Sequence, residues 1–360
     1  MSNPASSLPA PASEQIRKPP RYTSFRLQLR DNLAWRILAA VMLSMLCAAA
    51  LIALSGHNPL TAFAAMAVGA VGSPHQIGAA LNRTTPYLLA GSGVAMCFRA
   101  GIINIGAEGQ IAVGGIGATA VALIWPSALP ELAIAASLLA AAATGAVWAG
   151  IATAIHLGRR VHEVLATLLL NFIALLLVKQ MLVRPLGQFG AGFLQSPQLP
   201  AATRLWRIPE VDAHFGIVIT VIIAAGLSFV LWRTRFGFAL RVAGNSRPAA
   251  AYAGFSLPRL TWSVMLLAGA VAGLAGGIEV LGVHRRLIEG FSLGFGFKAV
   301  TVALLGALEP MAVIPASLFV GLLEAGSLSM QRQIGVPSAL VVVIEGLTML
   351  FVLAATVRRV

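Results

Sequence analysis

Residues 98–117 read FRAGIINIGAEGQIAVGGIG and place Arg99, Asn104, Glu108 and Gln110 in a glycine-rich run between two long apolar segments. A carboxylate held at hydrocarbon depth costs roughly 2.5–3.5 kcal/mol on insertion scales, so it persists where it faces protein, water or a partner charge. The glycines let backbones approach closely or let a helix break inside a protein-lined cavity. Polar groups on a broken or tightly packed membrane helix are the chemistry of a transport path. Asn104, Glu108 and Gln110 are therefore the pathway candidates, joined by Asn171, which lies one turn after Thr167 in another apolar run.

A second constellation, RTRFGFALRVAGNSRPAAAYAGFSLPRL, fills residues 233–260. Asn245 or Ser246 suits an N-cap, Pro248 the first turn and Gly254 the position just past the helix end. These predict a short helix over 247–253 in a basic loop, with Tyr252 on its exposed side. Arg241, Asn245, Pro248 and Tyr252 are the candidates for docking a partner.

Other chemistries lack their residues. The three lysines, Lys18, Lys179 and Lys298, are followed by Pro, Gln and Ala, so no Walker A phosphate loop exists here. There is no H-E-x-x-H and no paired-cysteine metal site; Cys47 and Cys97 both fall in apolar runs. Gly290-Phe291-Ser292-Leu293-Gly294 fits G-x-S-x-G, but a nucleophile elbow needs a strand before it and a helix after it. Loop and helix flank it here, so a membrane enzyme using Ser292 is a minor alternative.

The elements that must carry these residues are membrane helices. The 360-residue chain is 58% hydrophobic and 10% charged, with a mean hydropathy of +0.86. Soluble domains carry about 25% charged residues. Continuous apolar runs exclude a β-barrel. Ten crossings are expected, near 36–56, 77–98, 104–125, 132–156, 163–183, 215–232, 262–283, 297–309, 311–331 and 339–357, with eight as a lower bound. The eighth is short enough to dip and return. Segment 57–76 reads as an interfacial helix. Gly269, Gly273 and Gly277 line one face of their span, a sign of close packing. Residues 1–34, rich in Pro and Ser and then basic, read as a disordered cytoplasmic N-terminus, and 35–360 as one transmembrane domain.

The net charge of +13 is spread over short loops. It is a topology signal, not a nucleic-acid one. Arginines before the first span, at 159–160, in 233–259 and at 358–359 fall on one side if both termini are cytoplasmic. Arg184, Arg204, Arg207, Arg285 and Arg286 run against that pattern. Glu279 is expected to pair with Arg285 or Arg286, and Arg83 with Glu108. A proton-coupled carrier using Glu108 or Glu279 is an alternative class.

Residues 98–110 resemble the signature of the nucleoside and simple-sugar branch of ABC importer permeases, within the branched-chain amino acid, ribose and nucleoside group. VHEVLATLLLNFIAL at 161–175, the loop from Arg241 to Gly254, and residues 298–326 are similar to the same branch. His162 and Glu309 depart from its common pattern. The resemblance implies an all-α type II importer fold in a bacterial cytoplasmic membrane. It implies a non-enzymatic subunit that binds no cofactor, with ATP and Mg on a separate cytoplasmic ATPase. The other implied partners are a second permease, identical or similar, an extracytoplasmic solute-binding protein and membrane lipid. A purine nucleoside is the implied substrate, and a simple sugar such as ribose the alternative.

Overall fold

The computed structural model describes residues 22–124, 130–292 and 294–356. Thirteen α-helices order as α1 (Tyr22–Leu54), α2 (Pro59–Val71), α3 (Pro74–Arg99), α4 (Ala107–Ile124), α5 (Pro130–Arg159), α6 (Glu163–Val183), α7 (Gly216–Arg233), α8 (Arg235–Asn245), α9 (Arg247–Tyr252), α10 (Leu257–Ile278), α11 (Phe295–Leu305), α12 (Pro310–Ile334) and α13 (Ser338–Thr356). A π turn, Glu279–His284, continues α10. Eight helices among the described residues are long and apolar enough to cross a membrane. α3 has the length, 26 residues, but its first half carries His75, Asn82 and Arg83.

Three expectations change. α1 begins at Tyr22, because no Gly or Pro interrupts residues 22–54. The segment expected to be disordered through residue 34 is therefore helical from 22; residues 1–21 lie outside the described ones. α2 does not lie flat at an interface. It packs lengthwise and parallel on α12, with Met66 against Gly326 and Gly69 against Ser329. Its buried face is the small-residue one, Ala62, Ala65 and Gly69, while Leu60, Val68 and Val71 stay exposed. The expected eighth span is α11, eleven residues long. At 1.5 Å per residue it reaches about 16 Å, half the hydrocarbon thickness.

The core is built by α3, α4, α5 and α10. A methyl on Gly145 of α5 would stand 2.3 Å from the Gly269 carbonyl oxygen of α10. Gly273 meets Ala141 and Gly277 meets the Ala141 methyl, so the glycine face expected on α10 is the α5 contact. Small-residue contact of this kind lets membrane helices pack where the hydrophobic effect between them is weak.

The two ends of the bundle differ. One carries α8 and α9. The other carries residues 184–215, which fold back over the π turn. There Arg207 donates to Asp212 (2.7 Å) and to the Gly282 carbonyl (2.7 Å), Arg286 to Gln195 (2.6 Å), and Arg204 to the Leu199 carbonyl. The arginines that ran against the charge pattern include three that tie this loop down. The Arg207 hydrogen bond holds the Asp212 carboxyl below the usual carboxylate range.

His214 closes the same loop, fully buried against Gly282. Burial first, and the Arg207 charge second, push its pKa down to about 4. The unfolded chain takes up a proton near pH 6.5, which the folded loop refuses. Stability from this group is therefore whole above pH 6.5 and declines as pH falls toward 4. We expect the protein to lose up to about 3 kcal/mol over that window. A His214→Gln variant should flatten the loss; thermal unfolding midpoints from pH 7 to 4.5 test this, and identical profiles would rule it out.

Candidate translocation site

α3 ends at Arg99 and α4 starts at Ala107, and the backbone between them is irregular and largely buried. Irregular backbone inside a membrane protein stands only where protein satisfies its polar groups. Asn171 of α6 does this twice: Oδ1 accepts from the Gly109 amide (2.9 Å) and Nδ2 donates to the Ile105 carbonyl (2.8 Å). Asn104 Oδ1 accepts from the Gly106 amide (2.8 Å) and from Gln110 Nε2 (3.4 Å). Thr167 Oγ1 accepts from the Ile105 amide.

Glu108 reaches across to α11. Its two carboxylate oxygens accept from the amides of Gly294 (3.2 Å) and Gly296 (2.8 Å). An anion there answers the unpaired amides and the positive end of the α11 dipole. Gly296 is needed for the approach, since a methyl on it would stand 2.0 Å from the Glu108 nitrogen. Arg99 holds the other end of α11, donating to the carbonyls of Ala307 and Leu308, both at 3.0 Å. Those two residues have φ of +50° and +59°, a costly left-handed pair that the guanidinium stabilises.

The four residues expected to form the pathway all lie in this buried network. Asn104, Glu108, Gln110 and Asn171 are at most 1% exposed, and none lines the large polar cavity of the bundle. They join α4, α6 and α11.

That cavity, about 390 Å³, opens beneath residues 184–215. α3 supplies Asn82 and Arg83, the π turn Glu279 and His284, and the α11 entry Phe291 and Phe295; α12 supplies Glu324. Behind it lies a charge cluster. Arg83 and Tyr87 both bond Glu324. Lys298 donates to Glu324 (3.3 Å) and to Glu345 (2.9 Å). Two cations face two carboxylates, so the wall is polar and internally balanced. Arg83 pairs with Glu324 rather than Glu108, and Glu279 with His284 (3.4 Å) rather than Arg285 or Arg286. Ser292 is buried in the turn before α11, and among the described residues no strand precedes it. The elbow geometry is not formed.

At the opposite end, α9 forms as expected, with Ser246 as N-cap accepting from the Ala249 amide (3.3 Å), Pro248 in the first turn and Gly254 at φ +81°. Tyr252 is 96% exposed. Asn245 is the exposed last residue of α8 rather than the cap. Arg241 stacks 4.4 Å over the Trp232 ring, whose Nε1 bonds Glu309. α8 itself was missed because its two glycines resemble a loop. Its signals were Thr234 as cap, with Oγ1 accepting from the Gly237 amide (3.1 Å), and the i, i+3, i+4, i+7 spacing of Phe236, Ala239, Leu240 and Ala243. Gly244 lies against the Arg99 carbonyl, joining α8 to the end of α3.

Residues 76–353 match the family described as branched-chain amino acid transport system / permease component. The chain belongs to this permease family. The permease is 33% identical over 89% of its length to the guanosine ABC transporter permease protein NupP of Bacillus subtilis (strain 168), covering 93% of that protein. It is also 33% identical over 89% of its length to the glucose ABC transporter permease protein TsgB13 of Haloferax volcanii, covering 88% of it. Identity to the nucleoside ABC transporter permease protein NupB of Lactococcus lactis is 26%, over 88% of this chain and 89% of that one. It is a multi-pass membrane permease subunit of the ATP-binding-cassette importer class, and such a permease is not itself catalytic.

Proposed function

We propose that this permease carries a neutral purine ribonucleoside across a bacterial cytoplasmic membrane. The observation that carries the reading is the cavity beneath residues 184–215. Its volume falls in the range of about 300–1,000 Å³ common for small-ligand sites. Its arginines and the lysine behind it are each paired with a carboxylate, which leaves Glu279, beside His284, as the one acid of the wall without a cationic partner among the described residues. Phe291 and Phe295 offer flat apolar faces to a base, and Asn82, Glu279 and His284 offer polar atoms. Similarity to guanosine and nucleoside permeases points the same way.

In this reading the α8–α9 end and both termini face the cytoplasm. Arg233, Arg235, Arg241, Arg247 and Arg259 then obey the positive-inside rule. A separate ATPase carrying ATP and Mg docks at α9, beside a hollow lined by Phe238, Arg241, Val242, Asn245, Ser246 and Ala249. A second permease completes the path, and a solute-binding protein delivers substrate to residues 184–215.

Uptake of labelled guanosine by cells expressing the chain with its ATPase and binding protein tests this. Uptake should require the ATPase and resist excess glucose or ribose. Inhibition by either sugar would favour the second reading, a sugar permease, which the relation to TsgB13 supports. Uptake that persists with an ATPase unable to hydrolyse ATP would overturn the importer mechanism.

The docking role has its own test. Ala250 is buried and its amide donates to the Ser246 carbonyl (3.0 Å). Ala250→Pro removes that bond at a local cost of about 3 kcal/mol. We expect a folded, membrane-inserted protein whose substrate no longer stimulates ATP hydrolysis by the partner. Unchanged stimulation would remove α9 from the coupling.

A further inference from the structure

The cavity wall holds one carboxylate oxygen that the bundle does not answer. Glu279 is 5% exposed; its Oε1 lies 3.4 Å from His284 Nε2, while its Oε2 has no hydrogen-bond partner among the described residues. The other carboxylates of this wall are occupied, Glu324 by Arg83, Tyr87 and Lys298, and Asp212 by Arg207. A buried acceptor without a donor is costly and uncommon in a folded protein. One that borders a cavity is placed to receive a donor from a ligand.

The backbone sets Glu279 apart as well. α10 is regular to Ile278 and then changes to a π turn that begins at Glu279. Single π turns are frequent at functional sites. The turn ends at Arg285 with φ +58°. Around the carboxylate stand rigid rings: Phe295 is held edge-on by Tyr87 at 5.4 Å and 86°, and Phe291 lies edge-on to His284 at 6.4 Å. Arg83 and Arg207 share the wall but are held by Glu324 and Asp212, so neither answers Glu279, and a charged donor from a ligand is not excluded. The flanking Phe291 and Phe295 rings suit a neutral organic solute, whose hydroxyl can supply the missing donor.

We infer that Glu279 is the residue with which the permease reads the hydroxyls of a pentosyl ring. Oε2 accepts from the ring's vicinal hydroxyls, and the Phe291 and Phe295 rings take the apolar side of the solute. The inference deepens the proposed function and rests on it. The same hydroxyls belong to a ribonucleoside and to free ribose.

The test is a ratio. Uptake of labelled guanosine and 2′-deoxyguanosine is measured in cells carrying the full transporter, with wild-type permease and with Glu279→Gln. The binding protein is identical in both strains, so a change in the ratio belongs to the permease. Wild type should favour guanosine, because a site built around a hydroxyl rejects the analogue that lacks it. Glu279→Gln should lower guanosine uptake about tenfold or more and leave 2′-deoxyguanosine uptake within about twofold. Glu279→Asp, which keeps the charge, should retain a preference for guanosine.

Equal loss of both solutes at normal permease levels in the membrane would make Glu279 structural and overturn the inference. So would an unchanged ratio in Glu279→Gln, or wild-type uptake that ignores the 2′-hydroxyl. If wild type takes up ribose but no nucleoside, the nucleoside reading fails by itself. The ratio of ribose to 2-deoxyribose uptake then decides the role of Glu279 by the same criteria. Uptake of neither class would overturn both.

Discussion

A Glu108→Ala permease is expected to lose about 3–5 kcal/mol of stability, the worth of two hydrogen bonds to a charged group. Both oxygens of Glu108 are in use, on Gly294 and Gly296, and the residue is fully buried. Alanine would leave two amides without acceptors at the start of α11 and a void beside them. Glu108→Gln keeps one acceptor oxygen and the volume, so its loss should be about half as large. The thermal midpoint of purified permease, with the amount recovered from the membrane, measures both. An alanine variant with wild-type stability and uptake would show that the two bonds hold nothing.

The second large effect lies behind the cavity. Glu324→Gln leaves Arg83 and Lys298 facing the single carboxylate of Glu345. Removing one partner of a fully buried ion pair costs about 3–5 kcal/mol, mostly because the remaining charge is uncompensated; with Arg83 33% and Lys298 28% exposed, solvent screening brings this to roughly 1–3 kcal/mol. Removing Arg83 as well restores the balance, with Lys298 and Glu345 still paired at 2.9 Å. The double variant Arg83→Met with Glu324→Gln should therefore be more stable than Glu324→Gln alone. Its coupling energy should be in the upper part of the roughly 0.5–3 kcal/mol range for residues in one network. Unfolding of the two single variants and the double variant gives that energy. Additive losses would mean that Arg83 and Glu324 act independently, against the contact seen here.

Much of the scaffold was legible in order of sequence. The long apolar runs became helices near their expected bounds. The short run before Glu309-Pro310 became the half-helix α11. Ser246, Pro248 and Gly254 marked α9, since caps are local and their signals lie within a few residues. The function of the polar residues was not legible in the same way. Glu108 announced itself as a buried carboxylate, but its partners are amides nearly two hundred positions away, and amides carry no residue-type signal. Arg83 needed a partner, and several glutamates were equally available until α12 was seen beside α3. Asn171 bonds to backbone rather than to a solute, a choice that depends on where the chain between α3 and α4 runs. Glu279 was noted as a charge near the end of its span. Its unanswered oxygen appears only after every neighbour has been placed.

Arg99 grips one end of α11 and Glu108 the other, and both belong to a single short stretch of chain. The two grips are therefore in register with each other. One residue inserted or deleted between them would displace one end of α11 from its holder while leaving every side chain in the protein. What the stretch encodes is a length as much as a composition. A homologous sequence could exchange many of its apolar residues and still seat α11, whereas a shift of one position, with all of the polar residues kept, would not.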